Sequence, residues 1–416
     1  MTRMARLFAY MSLAFLLMAA CGPARAQWEI ENSGTTADLR GIDNVGGGVA
    51  WASGTNGTVL RTEDGGYLWQ NCAIPPGAEH LDFRGIQAFD ANTAIVMSSG
   101  KGDLSRLYKT TDGCHSWKLV FTNPDKDGFW DAVVARTVKA ESGDVCDVGS
   151  KVILGTILGD PSVHKSNQAD TTTESSFYLA NFYAGITCSK EKVFPSASSI
   201  FALPGEAAFA ASNSILARLD PASTYWMAVG RRLIQYSVGF TLPGRYEAED
   251  FCDIGIPFSR GSSSAGVFSL AIQPGSFTPP GPTKIGGFHW KVPSCQKADM
   301  VIVGGDYQAI DRQQDTAAFT GGSNKFSLAQ TPPHGFRSAV AYDADAKAWI
   351  TVGPNGTDIS TDDGKNWRAL RPDAELHEAS DADRNWNALS LPFVVGSHGR
   401  IGKLNPKALD AAKGSR

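Results

Sequence analysis

Apolar residues in this chain come in short runs, "VAWASG", "AIVMSSG", "AWITVG", "FVVG", and Gly, Pro, Asn or Asp closes nearly every run. Nowhere do they recur at helical spacing over a long stretch. Short apolar runs, broken often by turn formers, predict many β-strands joined by tight turns, an all-β chain.

One turn is spelled three times: "TEDGGYLW" (62–69), "TTDGCHSW" (110–117) and "STDDGKNW" (360–367). In each, a hydroxyl residue (Thr62, Thr110, Ser360) stands two before an Asp (Asp64, Asp112, Asp362), and a Trp closes the motif (Trp69, Trp117, Trp367). Gly66 and Gly364 hold a position occupied in the second copy by Cys114. Gly accepts positive φ, Asp and Ser/Thr side chains accept hydrogen bonds from nearby backbone N–H groups, and Trp packs over the hairpin, so the motif is read as a fold device.

The context of the turn repeats as well. "LRGIDNV", "VAWASGTNG" and "TVLRT" lead into the first copy; "FRGIQAF", "AIVMSSG" and "SRLYKT" into the second; "FRSAVAY", "AWITVGPNG" and "TDIS" into the third. The unit is three strands, the turn, and a fourth strand opening with Trp. The first two copies lie 48 residues apart, the size of a four-stranded propeller blade. Weaker copies fill the rest. "FWDAVVA", "KVILGTIL", "FYLANFYAG" and "ITCSKEKVF" make a third blade, with an insertion near Ser162–Ser176. "AAFAAS", "WMAVG", "RLIQYS" and "GFTLP" make a fourth, and "GVFSLAI", "DMVIVGGDY", "AAFTGG" and "KFSLAQ" a fifth with the inserted loop "QPGSFTPPGPTKIGG". A seventh has only "WNALSL", "PFVVGSHG" and "RIGKL", which leaves an unpaired edge. "QWEI" (27–30) is expected to supply the missing outer strand. The expected fold is thus a seven-bladed β-propeller over residues 27–404, its last blade closed by the N-terminal strand, followed by a tail, 405–416.

These segments carry a family resemblance. The turn resembles the Asp-box, or bacterial neuraminidase repeat. "VLRTEDGGYLW", "FRGIQAFD", "RLYKTTDGCHSWKLVFTNP", "FALPGEAAFAAS", "VFSLAI", "VIVGGDY", "FRSAVAY" and "VGPNGTDISTDDGKNW" are similar to bacterial relatives of the photosystem II stability/assembly factor family. That resemblance implies a propeller that is no enzyme and binds a protein partner, as a scaffold or assembly factor for a membrane-associated complex.

Composition narrows the setting. The chain is 42% hydrophobic and 19% charged, ordinary for a protein with a large core. "MTRMAR", the apolar "LFAYMSLAFLLMAA" and the small residues of "ARA" before Gln27 read as an export signal over 1–26, giving a periplasmic or secreted protein. "LLMAACG" offers a second processing site, at which Cys21 would be lipidated. No later segment is apolar enough to span a bilayer. Losing the signal removes Arg3, Arg6 and Arg25 and moves the formal charge from −4 to −7. A mildly acidic chain is not expected to bind nucleic acid. The six remaining cysteines, Cys72, Cys114, Cys146, Cys188, Cys252 and Cys295, permit three disulfides in an exported protein, with sequence neighbours expected to pair. No cofactor or metal is expected, because no ligand spacing occurs; "NPDKDGFWD" is read as a surface turn rather than a calcium loop. A monomer is expected.

Aligning the first strands brings Arg40, Arg84 and Arg337 to one position, with Asn387 beside it in the last blade. Inner strands line a propeller's channel, so three guanidiniums at one mouth would bind a carboxylate or phosphate. Asp131 and Glu206, near the starts of the third and fourth inner strands, would neutralise them. The alternative is that these charges staple neighbouring blades. An Arg trio on such a propeller also resembles the sialidases. The first strands lack that family's Pro-containing signature, and Tyr246 and Glu247, adjacent on one strand, would point to opposite faces.

Overall fold

The computed structural model describes residues 27–140, 146–163, 175–195, 200–219, 224–241, 245–259, 262–277, 295–371 and 381–409. They form seven antiparallel sheets, each with four strands in meander order. From the centre outward, blade 1 runs Leu39–Gly46, Val49–Gly54, Val59–Thr62 and Gln70–Asn71. The inner strands of the next five blades are Phe83–Ala88, Trp130–Lys139, Leu216–Leu219, Ala265–Ile272 and Ala339–Asp343. Blade 3 carries one more short strand, Ile200–Phe201, beside Ser175–Gly185.

Blade 7 is built from Trp386–Ser390, Phe393–Gly396 and Ile401–Leu404, and its outer strand is Trp28–Glu31 from the other end of the chain. Trp28 pairs with Leu404 and Glu31 with Ile401, as the unpaired edge in the sequence requires. Trp28 is 1% exposed, packs 5.9 Å from Trp386, and donates from Nε1 to Thr357 Oγ1 of blade 6 at 3.0 Å. One aromatic side chain therefore joins the first strand of the chain to its last two blades.

The core lies between blades. Leu39, Ala52, Leu60 and Trp69 of blade 1 pack on Ala388, Phe393 and Ile401 of blade 7, while Trp51 and Val59 on the opposite face pack on Phe83 and Tyr108 of blade 2. Each sheet buries both faces, which is why its strands read as short apolar runs with weak alternation.

The repeated turn has one hydrogen-bond plan. Thr62, Thr110 and Ser360 donate to Asp64, Asp112 and Asp362 at 2.8–2.9 Å, and each hydroxyl accepts the N–H four residues on, from Gly66, Cys114 and Gly364, at 3.0–3.1 Å. Each Asp Oδ1 also accepts a backbone N–H from Leu68, Ser116 or Asn366. The position after the Asp–Xaa pair has φ 99° at Gly66, 81° at Gly364 and 64° at Cys114. Cys114 accepts this left-handed backbone while bonded to Cys72, which tethers the outer edge of blade 1 to the turn of blade 2, with Cα atoms 5.3 Å apart. Cys146–Cys188 and Cys252–Cys295 are the other two bridges, so sequence neighbours pair throughout.

Blade 4 departs from the sequence reading. "AAFAAS" is not its inner strand, and "GFTLP" is not a separate outer one: Gly239–Thr241 continue the third strand, Arg232–Thr241, and Arg245–Gly255 forms the edge. Blade 5 has the expected strands; most of its inserted loop lies outside the described residues.

Candidate functional site: the mouth of the ring

The inner strands share a defect at one end. Pairing with the second strand skips one residue between Leu39 and Gly41, Phe83 and Gly85, Trp130 and Ala132, Val267 and Ser269, and Trp386 and Ala388. A bulge re-aims the skipped side chain. The skipped residues are Arg40, Arg84, Asp131, Phe268 and Asn387; the sequence alignment put Arg40 and Arg84 at one position, Asn387 beside it and Asp131 near the start of its strand. Arg337 precedes blade 6's inner strand in the matching place, just before Ser338, whose N–H donates to Val352 O at 2.9 Å.

Arg40 and Arg84 converge. Arg84 Nε donates to Asp82 Oδ2 at 2.8 Å, and Arg40 Nε lies 3.9 Å from the other oxygen of the same carboxylate. Arg40 Nη2 also lies 3.6 Å from Asp38. Both side chains are about three-tenths exposed. Asp131 sits beside Arg84 at 1% exposure. Burial pushes its carboxyl well above the usual range, the Asp160 charge pushes the same way, and Arg84 opposes them. Asp160 is itself raised by burial, against a hydrogen bond from Ala208 N–H.

The other expected members go elsewhere. Arg337 is fully buried: Nε donates to Asp358 at 2.8 Å, Nη2 also donates to that carboxylate, and Nη1 donates to Asn355 Oδ1 and to Phe336 O. His334 Nδ1 lies 2.9 Å from Asp358 Oδ1. Burial works to raise the Asp358 carboxyl, but His334 and Arg337 outweigh it and hold it below the usual range. This guanidinium ties the loops of blade 6 together rather than facing the mouth. Glu206 accepts from Arg232 Nε and Nη2 at 3.0 and 2.7 Å, a pair within blade 4's own loops. Asn387 Nδ2 donates to Leu39 O at 2.8 Å, across the seam between blades 7 and 1.

Blade 4 has an excursion where its neighbours have a bulge. Ala207 O accepts from Gly230 N and Ile215 O from Ala228 N at 2.9 and 2.8 Å, so the seven residues 208–214 leave the ladder together. They run into the mouth. Ala208 N donates to Asp160 Oδ1 of blade 3 at 3.0 Å, Arg84 Nη1 of blade 2 donates to Ala210 O at 2.8 Å, and Ser212 Oγ donates to Ser338 O of blade 6 at 2.9 Å. Phe209 stacks on Phe268 of blade 5 with centroids 4.1 Å apart. One segment thus touches four other blades.

Sequence reasoning missed the seam residues. Asp43 accepts from Ala88 N and Gln87 Nε2; Gln87 Oε1 accepts from Ala135 N; Asn213 exchanges bonds with Val133 N and O; Ser269 accepts from Val340 N; Ser338 donates to Trp386 O. With Ser214 donating to Ser269 and Asn387 to Leu39, every seam between inner strands carries a side-chain bond. The available signal was spacing: Asp43 and Gln87 each stand three residues after an aligned arginine.

Among the described residues no group of three His, Cys, Asp or Glu is placed to hold a metal, and Asp127 of the "NPDKDGFWD" turn pairs with Lys101 at 2.9 Å. The Tyr246 and Glu247 side chains lie outside what is described. No described helix is long and apolar enough to cross a membrane.

No family model matches the chain. No curated protein matches it. Among solved structures, YCF48 from Cyanidioschyzon merolae is similar at 16% identity with a TM-score of 0.48, over 92% of this chain and all of that one. YCF48 bound to a D1 peptide is similar at 14% identity with a TM-score of 0.50, over 92% of this chain and 97% of that one. What the chain shares with YCF48 is therefore its fold, a seven-bladed ring over nearly the whole length of both.

Proposed function

We propose that this chain is an exported, non-enzymatic scaffold that binds a protein partner at the mouth face, as an assembly or stability factor for a membrane-associated complex. The observation that carries the reading is the convergence of Arg40 and Arg84, each partly exposed, on the single carboxylate of Asp82. Beyond these contacts, and beyond the Arg40–Asp38 approach at 3.6 Å and the Arg84 bond to Ala210 O, the two five-donor guanidiniums retain N–H groups for a partner's carboxylate or backbone carbonyls. The shared fold with a YCF48 structure that holds a D1 peptide supports the same type of role. The three disulfides and the signal-like start, "MTRMAR" onward, support export.

The test is capture of a partner from membrane and soluble extracts of the exporting host, with the wild type and the Arg40→Ala/Arg84→Ala double variant as baits. The double variant is expected to lose the partner while remaining folded, with a melting temperature lowered by the loss of the Arg84 contacts to Ala210 and Asp82. A variant that keeps its partner but loses turnover of a model sialoside would replace the scaffold reading with a hydrolase. Mass spectrometry of the mature N-terminus separates cleavage before Gln27 from lipidation at Cys21.

A further inference from the structure

The excursion of blade 4 is held as a bound peptide is held. Three consecutive residues present three different groups to three different blades: the N–H of Ala208 to Asp160, the ring of Phe209 to Phe268, and the C=O of Ala210 to Arg84. Behind Phe268 stands Phe336 at 4.7 Å and beside it Tyr307 at 6.0 Å; Tyr307 is 47% exposed, so the aromatic platform continues past Phe209 toward solvent. Phe209 is the one large side chain in "AAFAAS". The flanking Ala208 and Ala210 are buried too, but a methyl group each adds little apolar area beside the ring, so the segment's grip rests mostly on Phe209 and a few polar bonds. Ahead of it, Gly205 has φ 72°, and an added Cβ there would meet nothing within 4 Å. Behind it, Asn213 has φ 64° and is fixed to blade 3 by two hydrogen bonds. Residues 208–211 thus lie between an open turning point and a firm anchor.

We propose that residues 208–211 are a tethered occupant of a peptide groove, and that the groove takes an extended segment of the protein partner carrying an aromatic residue. The incoming segment repeats the seated pattern: an N–H onto Asp160, an aromatic ring onto the Phe268–Phe336 platform, and a C=O onto Arg84. Residues 208–211 swing out between Ala207, whose carbonyl stays on the Gly230 N–H, and Asn213, which stays on blade 3. Extended peptides are commonly recognised in this way, by backbone bonds with a pocket for one side chain. The inference rests on the reading that the mouth binds a protein and specifies the chemistry of what is bound there.

The probe is the blocked heptapeptide acetyl-Glu-Ala-Ala-Phe-Ala-Ala-Ser-amide, which copies residues 206–212. The receptor is the full chain with Ala208, Phe209, Ala210 and Ala211 all changed to Gly. Calorimetry is expected to give one-to-one binding to this variant, at least tenfold weaker binding to the wild type, and a tenfold loss when Phe in the peptide becomes Ala. A folded variant that ignores the peptide, or a wild type that binds it equally, overturns the proposal. Should the variant fail to fold, amide exchange of the wild type decides: the Ala208 and Ala211 N–H groups should exchange at least a hundredfold faster than those of Lys151–Val163. Equal rates would mean that the segment opens only when the ring unfolds, which also overturns it. A wild type that captures its partner through Arg40 and Arg84 while the variant ignores the peptide defeats this inference alone. Loss of the scaffold reading would leave the peptide measurement standing.

Discussion

Arg84 of blade 2 donates from Nη1 to the carbonyl oxygen of Ala210 in blade 4, 2.8 Å away, across a blade that both flank. A bond between non-adjacent blades requires the chain to leave its sheet, and the excursion 208–214 does so. Arg84→Ala removes this bond and takes away the positive charge that opposes the desolvation of the buried Asp131 carboxyl. The expected cost is about 1–3 kcal/mol in urea unfolding, the range for a hydrogen bond to a charged group and its abandoned partner.

Arg337 should behave differently although it aligns with Arg84. Its guanidinium is wholly buried against Asp358, so Arg337→Ala strands a buried carboxylate, at a cost of about 3–5 kcal/mol. Arg40→Ala, whose contacts to Asp38 and Asp82 are 3.6 and 3.9 Å long and partly solvated, should cost at most about 1 kcal/mol. Urea melts of the two variants side by side check the order.

Trp28 closes the ring. Trp28→Ala empties a fully buried site between blades 6 and 7 and removes the donor to Thr357 Oγ1, which keeps only its bond to Asp383, so a loss of about 3–5 kcal/mol is expected. Limited proteolysis should then cut first within residues 27–31, because the freed strand no longer pairs with Ile401–Leu404. Unchanged protection of that strand would count against its closing role.

Asp383 links stability to pH. It is buried, accepts the Thr357 N–H at 3.0 Å and also the Thr357 hydroxyl, and burial pushes its carboxyl from 3.8 up to about 6. The folded chain therefore holds this proton more tightly than the unfolded chain. Its contribution is fully present below pH 3.8 and is lost as pH rises through about 6, a swing of about 3 kcal/mol at 1.36 kcal/mol per pH unit. Asp43, also raised to about 6 by burial, acts in the same direction. Unfolding free energies at pH 5 and pH 7.5 should differ for the wild type and differ less for Asp383→Asn. The turn carboxyls act the other way: hydrogen bonds from Leu68 and Thr62 hold Asp64 below the usual range, so its contribution is present above 3.8 and is lost on further acidification.

Cys114 offers a test of turn strain. At φ 64° a side chain is disfavoured, and only Gly is free of the cost. In a Cys72→Ser background, where no bridge can form, Cys114→Gly should be more stable than Cys114→Ala by about 1 kcal/mol in thermal unfolding.

What could be read from the chain alone was what neighbours in sequence decide. The turn at Thr62–Trp69 satisfies its own hydrogen bonds within eight residues, so its spelling announces its shape wherever it recurs. Strand runs, blade size, the unpaired edge that called for Trp28, and the shared position of Arg40 and Arg84 follow from the same repetition. Where each charged or aromatic side chain ends was settled by groups distant along the chain, some in its own blade and some in others. Arg337 shares Arg84's alignment yet lies buried, because Asp358, Asn355 and His334 reach it first. Glu206 belongs to Arg232, and "AAFAAS", apolar enough for an inner strand, crosses the mouth because Asp160, Phe268 and Arg84 await it there. Local periodicity encodes which backbone bonds can form; the partners of a charge or an aromatic ring lie elsewhere in the fold, as far as 126 residues away for Arg84, and only tertiary packing brings them within reach.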